Sequence, residues 1–181
     1  LKGKEYLLYF LPDGKAQVVS RKGKERYATS AKITDAVGEV FFEKGTSIET
    51  CKLVYAQENE KVVNLQLNGQ IDGVRIAQGD SIKQLLHTDL NKDGKMETYV
   101  LTNKGLQIYE GLILVKEYDG YYASMYLTME HSDSPQILLN QEEENNIWLL
   151  NASGLHTTLL KTEGHFNVGK IQQTKGKNII L

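Results

Sequence analysis

Short apolar runs recur along this chain about every ten residues, separated by Gly, Asn and Asp. "EYLLYFLPDG" (5–14), "KVVNLQLNG" (61–69), "ETYVLTNKG" (97–105), "LILVKEYDG" (112–120) and "NIWLLNASG" (146–154) are examples. Brief runs of this kind, rich in β-branched and aromatic residues and bounded by turn formers, predict many short antiparallel strands. Asp13-Gly14, Asn68-Gly69, Asp119-Gly120 and Ser153-Gly154 supply turn dipeptides, with the glycine free to take positive φ. The most helix-like segment, "GDSIKQLLHTD", places apolar residues at 82, 85 and 86. It lacks the length and the continued period of a helix and reads as a strand.

The strands fall into larger units. Aligning "KEYLLYF", "TCKLVYA", "METYVLT", "SPQILLN" and "GKNIIL" superposes Leu8, Val54, Val100, Leu138 and Ile180. The repeats run over about 4–49, 50–95, 96–133 and 134–175, with the first strand of a fifth at 176–181. A second strand follows in each unit ("AQVVS", "VVNLQL", "LQIYE", "NIWLLN"). A third follows it ("ERYATSA", "IDGVRI", "LILVKEY", "LHTTLLK"), then a fourth ("GEVFFEKG", "SIKQLLHT", "YASMYLTM", "FNVGKIQQ"). Four strands per unit of this length is the arithmetic of a propeller blade. A lone twisted sheet cannot cover both of its faces, and stacking blades about an axis does. The expectation is an all-β, β-propeller-like chain of about four four-stranded antiparallel blades, forming a single repeat domain over 1–181. The partial fifth unit suggests a piece of a larger propeller. Exposed blade faces and edge strands would then drive self-association.

One loop carries specific chemistry. Asp89-x-Asn91-x-Asp93-Gly94-Lys95-x-Glu97 sets oxygen side chains at alternate positions, with Gly94 where the chain must turn sharply. The Lys95 carbonyl would face the same centre. Such alternation suits a hard cation that needs six or seven oxygens at about 2.3–2.6 Å. Asp89, Asp93 and Glu97 would offset its charge. Calcium fits better than magnesium, which demands tighter octahedral geometry and keeps more water. The competing reading is a polar turn in which Asp and Asn accept backbone amides and Gly94 supplies positive φ.

"DLNKDGKMETYVLTNKGLQIY" resembles the FG-GAP/VCBS repeats of integrin-like propellers, which carry a D-x-[DN]-x-D-G-x-x-[DE] calcium loop leading into an apolar strand. The resemblance implies Asp89, Asn91, Asp93, Lys95 (by its carbonyl) and Glu97 as ligands of a structural Ca2+. Glu97 stands where Asp is commoner, and the equivalent loops "EKGTSIET", "EHSDSPQ" and "QTKGKN" lack the ligand set. The resemblance therefore implies one calcium loop and transfers no catalytic residue. It also implies an extracytoplasmic setting: secreted, periplasmic or at the cell surface.

The rest of the chain narrows the function classes. Twenty-one basic against 23 acidic residues leave a net charge of −2. That argues against nucleic acid, which requires a concentrated basic face. The one basic cluster, "SRKGKER" at 20–26, reads as a solvated hairpin turn. No run approaches the length of a membrane span, so no membrane insertion is expected. Cys51 is alone, which excludes an internal disulfide; it reads as a small apolar residue beside a strand. The four histidines form no H-x-x-x-H pair. "MEHSDS" (129–134) reads as a connecting loop and "EEENN" (142–146) as an acidic hairpin tip. Tyr121, Tyr122, Tyr126 and Trp148 read as blade packing. The expected function is a non-catalytic module that recognises a protein or a glycan. The alternative is the propeller portion of a larger enzyme, such as a lyase or dehydrogenase, with its active site elsewhere.

Overall fold

The structure is a computed structural model that describes residues 6–128, 135–141 and 146–161. Its regular elements are all β-strands, in four antiparallel sheets. The first contains β1 (Tyr6–Phe10), β2 (Ala16–Ser20) and β3 (Glu25–Tyr27) in that spatial order. The second contains β4 (Ala36–Glu43), β5 (Lys52–Gln57), β6 (Lys61–Gln66) and β7 (Ile71–Arg75). The third runs from β8 (Ile82–Thr88) through β9 (Glu97–Thr102) and β10 (Gly105–Glu110) to β11 (Ile113–Asp119). The fourth contains β12 (Tyr122–Thr128), β13 (Gln136–Gln141), β14 (Asn146–Asn151) and β15 (Gly154–Lys161). Neighbours in sequence are neighbours in each sheet, as tight turns between antiparallel strands require.

The strands lie where the sequence pattern puts them, "SIKQLLHT" included. The grouping differs. The fourth strand of each of the first three sequence units joins the three strands that follow it, so "GEVFFEKG" pairs with β5, "SIKQLLHT" with β9 and "YASMYLTM" with β13. Turn signals mark where strands end but not which sheet a strand enters. The expected strands at 166–173 and 176–181 lie outside the described residues, as do 129–134 and most of the acidic tip at 142–146.

Burial is graded across each four-stranded sheet. All six residues of β9 are buried, and only Glu110 of β10 is exposed, whereas β11 is exposed at every position but Tyr118. The second and third strands therefore carry near-continuous apolar runs, as strands covered on both faces do. Each fully buried Leu or Val on them contributes about 1.5–3 kcal/mol relative to exposure.

The chain divides into two compact units, Leu1–Gly79 and Asp80–Leu181. In the first, Ala16, Val18, Cys51, Leu53, Tyr55, Val63 and Leu65 form the core. Cys51 accepts the Gly45 amide at 3.4 Å and donates to the Ser47 carbonyl at 3.2 Å, so this buried thiol seals a turn. "SRKGKER" is the exposed hairpin between β2 and β3, closed by Ser20 and Lys24. In the second unit, Leu138 and Ile147 pack with Tyr126 and Leu149. Tyr122 is buried there, whereas Tyr121 is 59% exposed. Trp148 is partly buried, and its indole N–H donates to Gln141.

Candidate metal centre

The loop at Asp89 joins β8 to β9. β8 ends at Thr88 and β9 begins at Glu97, so the loop hangs from two strands locked to each other, with Thr88 opposite Glu97 and His87 opposite Thr98. His87 is buried and its Nδ1 lies 3.0 Å from the Thr98 hydroxyl. Residues 89–96 must reverse direction in a short space. Lys92 (φ 60°) and Gly94 (φ 87°) take left-handed conformations to do so. A Cβ at Gly94 would meet nothing within 4 Å. The dihedral, not crowding, calls for glycine at this position.

The side chains organise this turn from within. Both Asp89 oxygens accept amides, Oδ1 from Asp93 at 3.1 Å and Oδ2 from Gly94 at 2.9 Å. Asn91 Oδ1 accepts the Asp93 amide at 2.9 Å, and Asp93 Oδ1 accepts that of Lys95 at 2.8 Å. These are the local side-chain-to-backbone bonds that favour Asp and Asn in turns. They account for Asp89, Asn91 and Asp93 with no further partner.

Glu97 is different. It is buried at the start of β9, with Oε2 accepting the Leu90 amide at 3.0 Å and the Tyr99 hydroxyl at 3.3 Å. Its Oε1 is also buried and, among the described residues, accepts no hydrogen bond. Carboxylate oxygens of Asp89, Asp93 and Glu97 lie within 4.8 Å of one another. Burial holds the Glu97 carboxyl above the usual carboxylate range, and the charges of Asp89 and Asp93 push the same way. The hydrogen bonds from Leu90 and Tyr99 oppose the shift. An uncompensated buried oxygen beside two like charges is costly.

A cleft of about 210 Å³ opens beside this cluster, lined in part by Asn91, Glu97, Tyr99, Lys116 and Ser153. Asn151, Ala152 and Ser153 sit at its rim, in the turn from β14 to β15. Asn151 Oδ1 accepts the Ser153 amide at 2.9 Å, and Ser153 Oγ lies 2.9 Å from His156 Nε2.

Sequence spacing found the three carboxylates that the fold brings together. Asn91 lies in the loop, where its side chain serves the Asp93 amide, and Lys95 contributes its own amide to Asp93. Sequence reasoning missed Leu90 and Tyr99, whose amide and hydroxyl fix Glu97. The period of two along β9 places Tyr99 on the face of Glu97, and that was the available signal.

No family model matches the chain, and no curated protein matches it in sequence. Among solved structures, it is similar to BBS1N in the crystal structure of BBS1N in complex with ARL6DN, with a TM-score of 0.59 and 13% sequence identity. The match covers 93% of this chain and 54% of that one. The chain thus spans about half the length of the one it matches. At that identity the likeness speaks for the fold alone, and with the four antiparallel sheets it makes this chain an all-β, β-propeller-like protein.

Proposed function

We propose that the chain is a non-catalytic binding module, a propeller stabilised by one structural calcium ion in the Asp89 loop and presenting a rigid surface to a protein or a glycan. The observation that carries the cation is the buried Glu97 carboxylate: its Oε1 has no hydrogen bond among the described residues, and the carboxylate has an oxygen within 4.8 Å of those of Asp89 and Asp93. A divalent cation supplies that oxygen with a partner and turns the mutual repulsion of three carboxylates into attraction. Oxygen donors alone suit a hard ion, and a loop built by alternation suits calcium's larger, less regular shell. The remaining donors are Asn91 and the Lys95 carbonyl, the set that the FG-GAP/VCBS resemblance implies. Side chains already committed to backbone amides favour a structural ion over a catalytic one.

The binding role is supported by the structural neighbour, which is itself in complex with a protein. An extracytoplasmic setting agrees with the cation, because extracellular modules bind calcium at about 10⁻⁴–10⁻³ M. Calorimetric titration of Ca²⁺ into EDTA-stripped protein tests the ion. One saturable site in that range is expected, and no heat together with no change in melting removes the ion from the reading. Arrays of immobilised glycans and proteins test the surface. Absence of saturable binding to either class leaves a structural spacer instead.

A further inference from the structure

The two oxygens of the Glu97 carboxylate are unequally engaged. Oε2 accepts both the Leu90 amide and the Tyr99 hydroxyl. A carboxylate offers roughly two lone-pair sites on each oxygen, so Oε2 is filled and Oε1 is what Glu97 retains for an ion. Glu97 is thereby a one-oxygen ligand. Asp89, Asn91 and Asp93 also spend lone pairs on amides of the loop. One oxygen each from Asp89, Asn91, Asp93, Glu97 and the Lys95 carbonyl makes about five, whereas calcium takes roughly six to eight. The shell that the loop builds is short by one oxygen or more.

The cleft of about 210 Å³ opens on this incomplete shell, because Asn91 and Glu97 both line it. Lys116, Tyr118 and Ser153 line it too, as does Glu110. Lys116 Nζ stands 4.9 Å from the centre of the Tyr118 ring. A Cβ on Gly154 would lie 3.6 Å from Tyr118 Oη and 4.0 Å from Lys116 Nζ, which puts both side chains against the turn from β14 to β15. Charge decides what such a space takes. Three carboxylates outweigh a divalent ion by one negative charge, and Lys116 and Glu110 cancel each other. An anionic ligand would meet a net negative site. A neutral ligand with paired oxygen donors meets no such opposition. The groups about the cleft both donate and accept hydrogen bonds, as the hydroxyls of a ligand require. Its volume lies below the roughly 300 Å³ at which drug-sized sites begin, so it suits a single ring.

We propose that this cleft binds one neutral sugar residue, two adjacent hydroxyls of which complete the shell of the ion held by the Asp89 loop. The proposal rests on the cation reading above and narrows its glycan to a hydroxyl-bearing ring with no carboxylate. Lys116 donates to an oxygen of the ring, and Tyr118 and Ser153 offer hydroxyls to the others. Two hydroxyls bring the oxygen count to about seven, inside calcium's range.

The test uses Tb³⁺ as the probe ion on EDTA-stripped protein, with luminescence lifetimes in H₂O and D₂O to count the waters bound to it. The expected result is a saturable site whose ion holds water, and loss of that water when mannose, fucose, galactose or glucose is titrated in. Calorimetry with Ca²⁺ in place of Tb³⁺ should give saturable binding of the same sugar, abolished by EDTA. Galacturonate and N-acetylglutamate should bind more weakly. Lys116→Met should leave Ca²⁺ affinity unchanged and weaken the sugar by about tenfold or more, the loss of one charge-assisted bond. Absence of any saturable ion binding overturns the cation reading and this proposal together. The proposal alone is overturned by a bound ion that holds no water, or by water that no sugar displaces. It is equally overturned by tighter binding of galacturonate or N-acetylglutamate, by sugar binding that survives EDTA, or by a Lys116→Met variant that binds sugar unchanged.

Discussion

Gln84 and Met125 lie 41 residues apart and face each other as two peptide groups would. The Gln84 amide donates from Nε2 to the Met125 carbonyl at 2.7 Å and accepts the Met125 amide on Oε1 at 2.8 Å. Gln84 stands on β8 and Met125 on β12, the leading strands of the two sheets in the second compact unit. A primary amide carries one donor edge and one acceptor in the arrangement a neighbouring strand would offer. Lys83 adds a bond from Nζ to the Tyr122 carbonyl at 3.2 Å. Side chains of one sheet thus close the edge of the next.

Gln84→Ala leaves two part-buried backbone groups of Met125 without their partner. The expected loss is about 1–3 kcal/mol for such a site, read as a lower urea midpoint at unchanged m-value. Gln84→Glu keeps the acceptor but turns the donor into a second oxygen facing the Met125 carbonyl, and should cost at least as much. A loss within about 0.5 kcal/mol, the range of ordinary surface substitutions, shows that water replaces the pair.

Calcium should raise the melting temperature above that in EDTA, and Asp93→Ala should abolish the increase. Glu97→Gln is more diagnostic. It removes the like charge facing Asp89 and Asp93, so it should raise the melting temperature in EDTA while removing the response to calcium. A variant that melts lower in EDTA and keeps the calcium response identifies Glu97 as an element of the turn alone.

Two glycines should separate conformational from steric cost. Gly94→Ala places a Cβ in open space at φ 87°, which costs roughly 1–2 kcal/mol for a left-handed L-residue. Gly105→Ala places it 2.2 Å from the Tyr118 carbonyl oxygen in β11. That contact forces β10 and β11 apart, and its cost should reach or pass the upper end of the about 1–3 kcal/mol typical of overpacking. Chemical denaturation of the two variants side by side checks the order.

Burial raises the phenols of Tyr55, Tyr99, Tyr109 and Tyr122 above the usual tyrosine value. For Tyr99 the neighbouring Glu97 charge adds to the shift. In the unfolded chain these groups ionise near pH 10, while the folded chain retains their protons. Stability is therefore full below about pH 10 and falls as pH rises past it. Urea melts between pH 9 and 11 should show that decline, and spectrophotometric titration should show a late-ionising class of tyrosines. Flat stability over this window contradicts the assignment.

Much of this protein is local and was legible in the chain. The apolar centre of β9, Tyr99-Val100-Leu101, belongs to a strand buried at all six positions, and Asn68-Gly69 turns because a glycine tolerates φ 93°. The Asp89 loop was legible for the same reason: four of its oxygens act on amides two to five residues away. Grouping strands into sheets depends on contacts that no local signal encodes. "SIKQLLHT" reads as the close of one repeat, and its packing made it the opening strand of the next sheet. Tertiary structure likewise decided that Gln84 would meet Met125. The sequence by itself determined where backbone bends and which residues avoid water. Only the folded chain decided which distant strands share a sheet and whether Glu97 Oε1 finds a donor, because burial and pairing are properties of segments brought together.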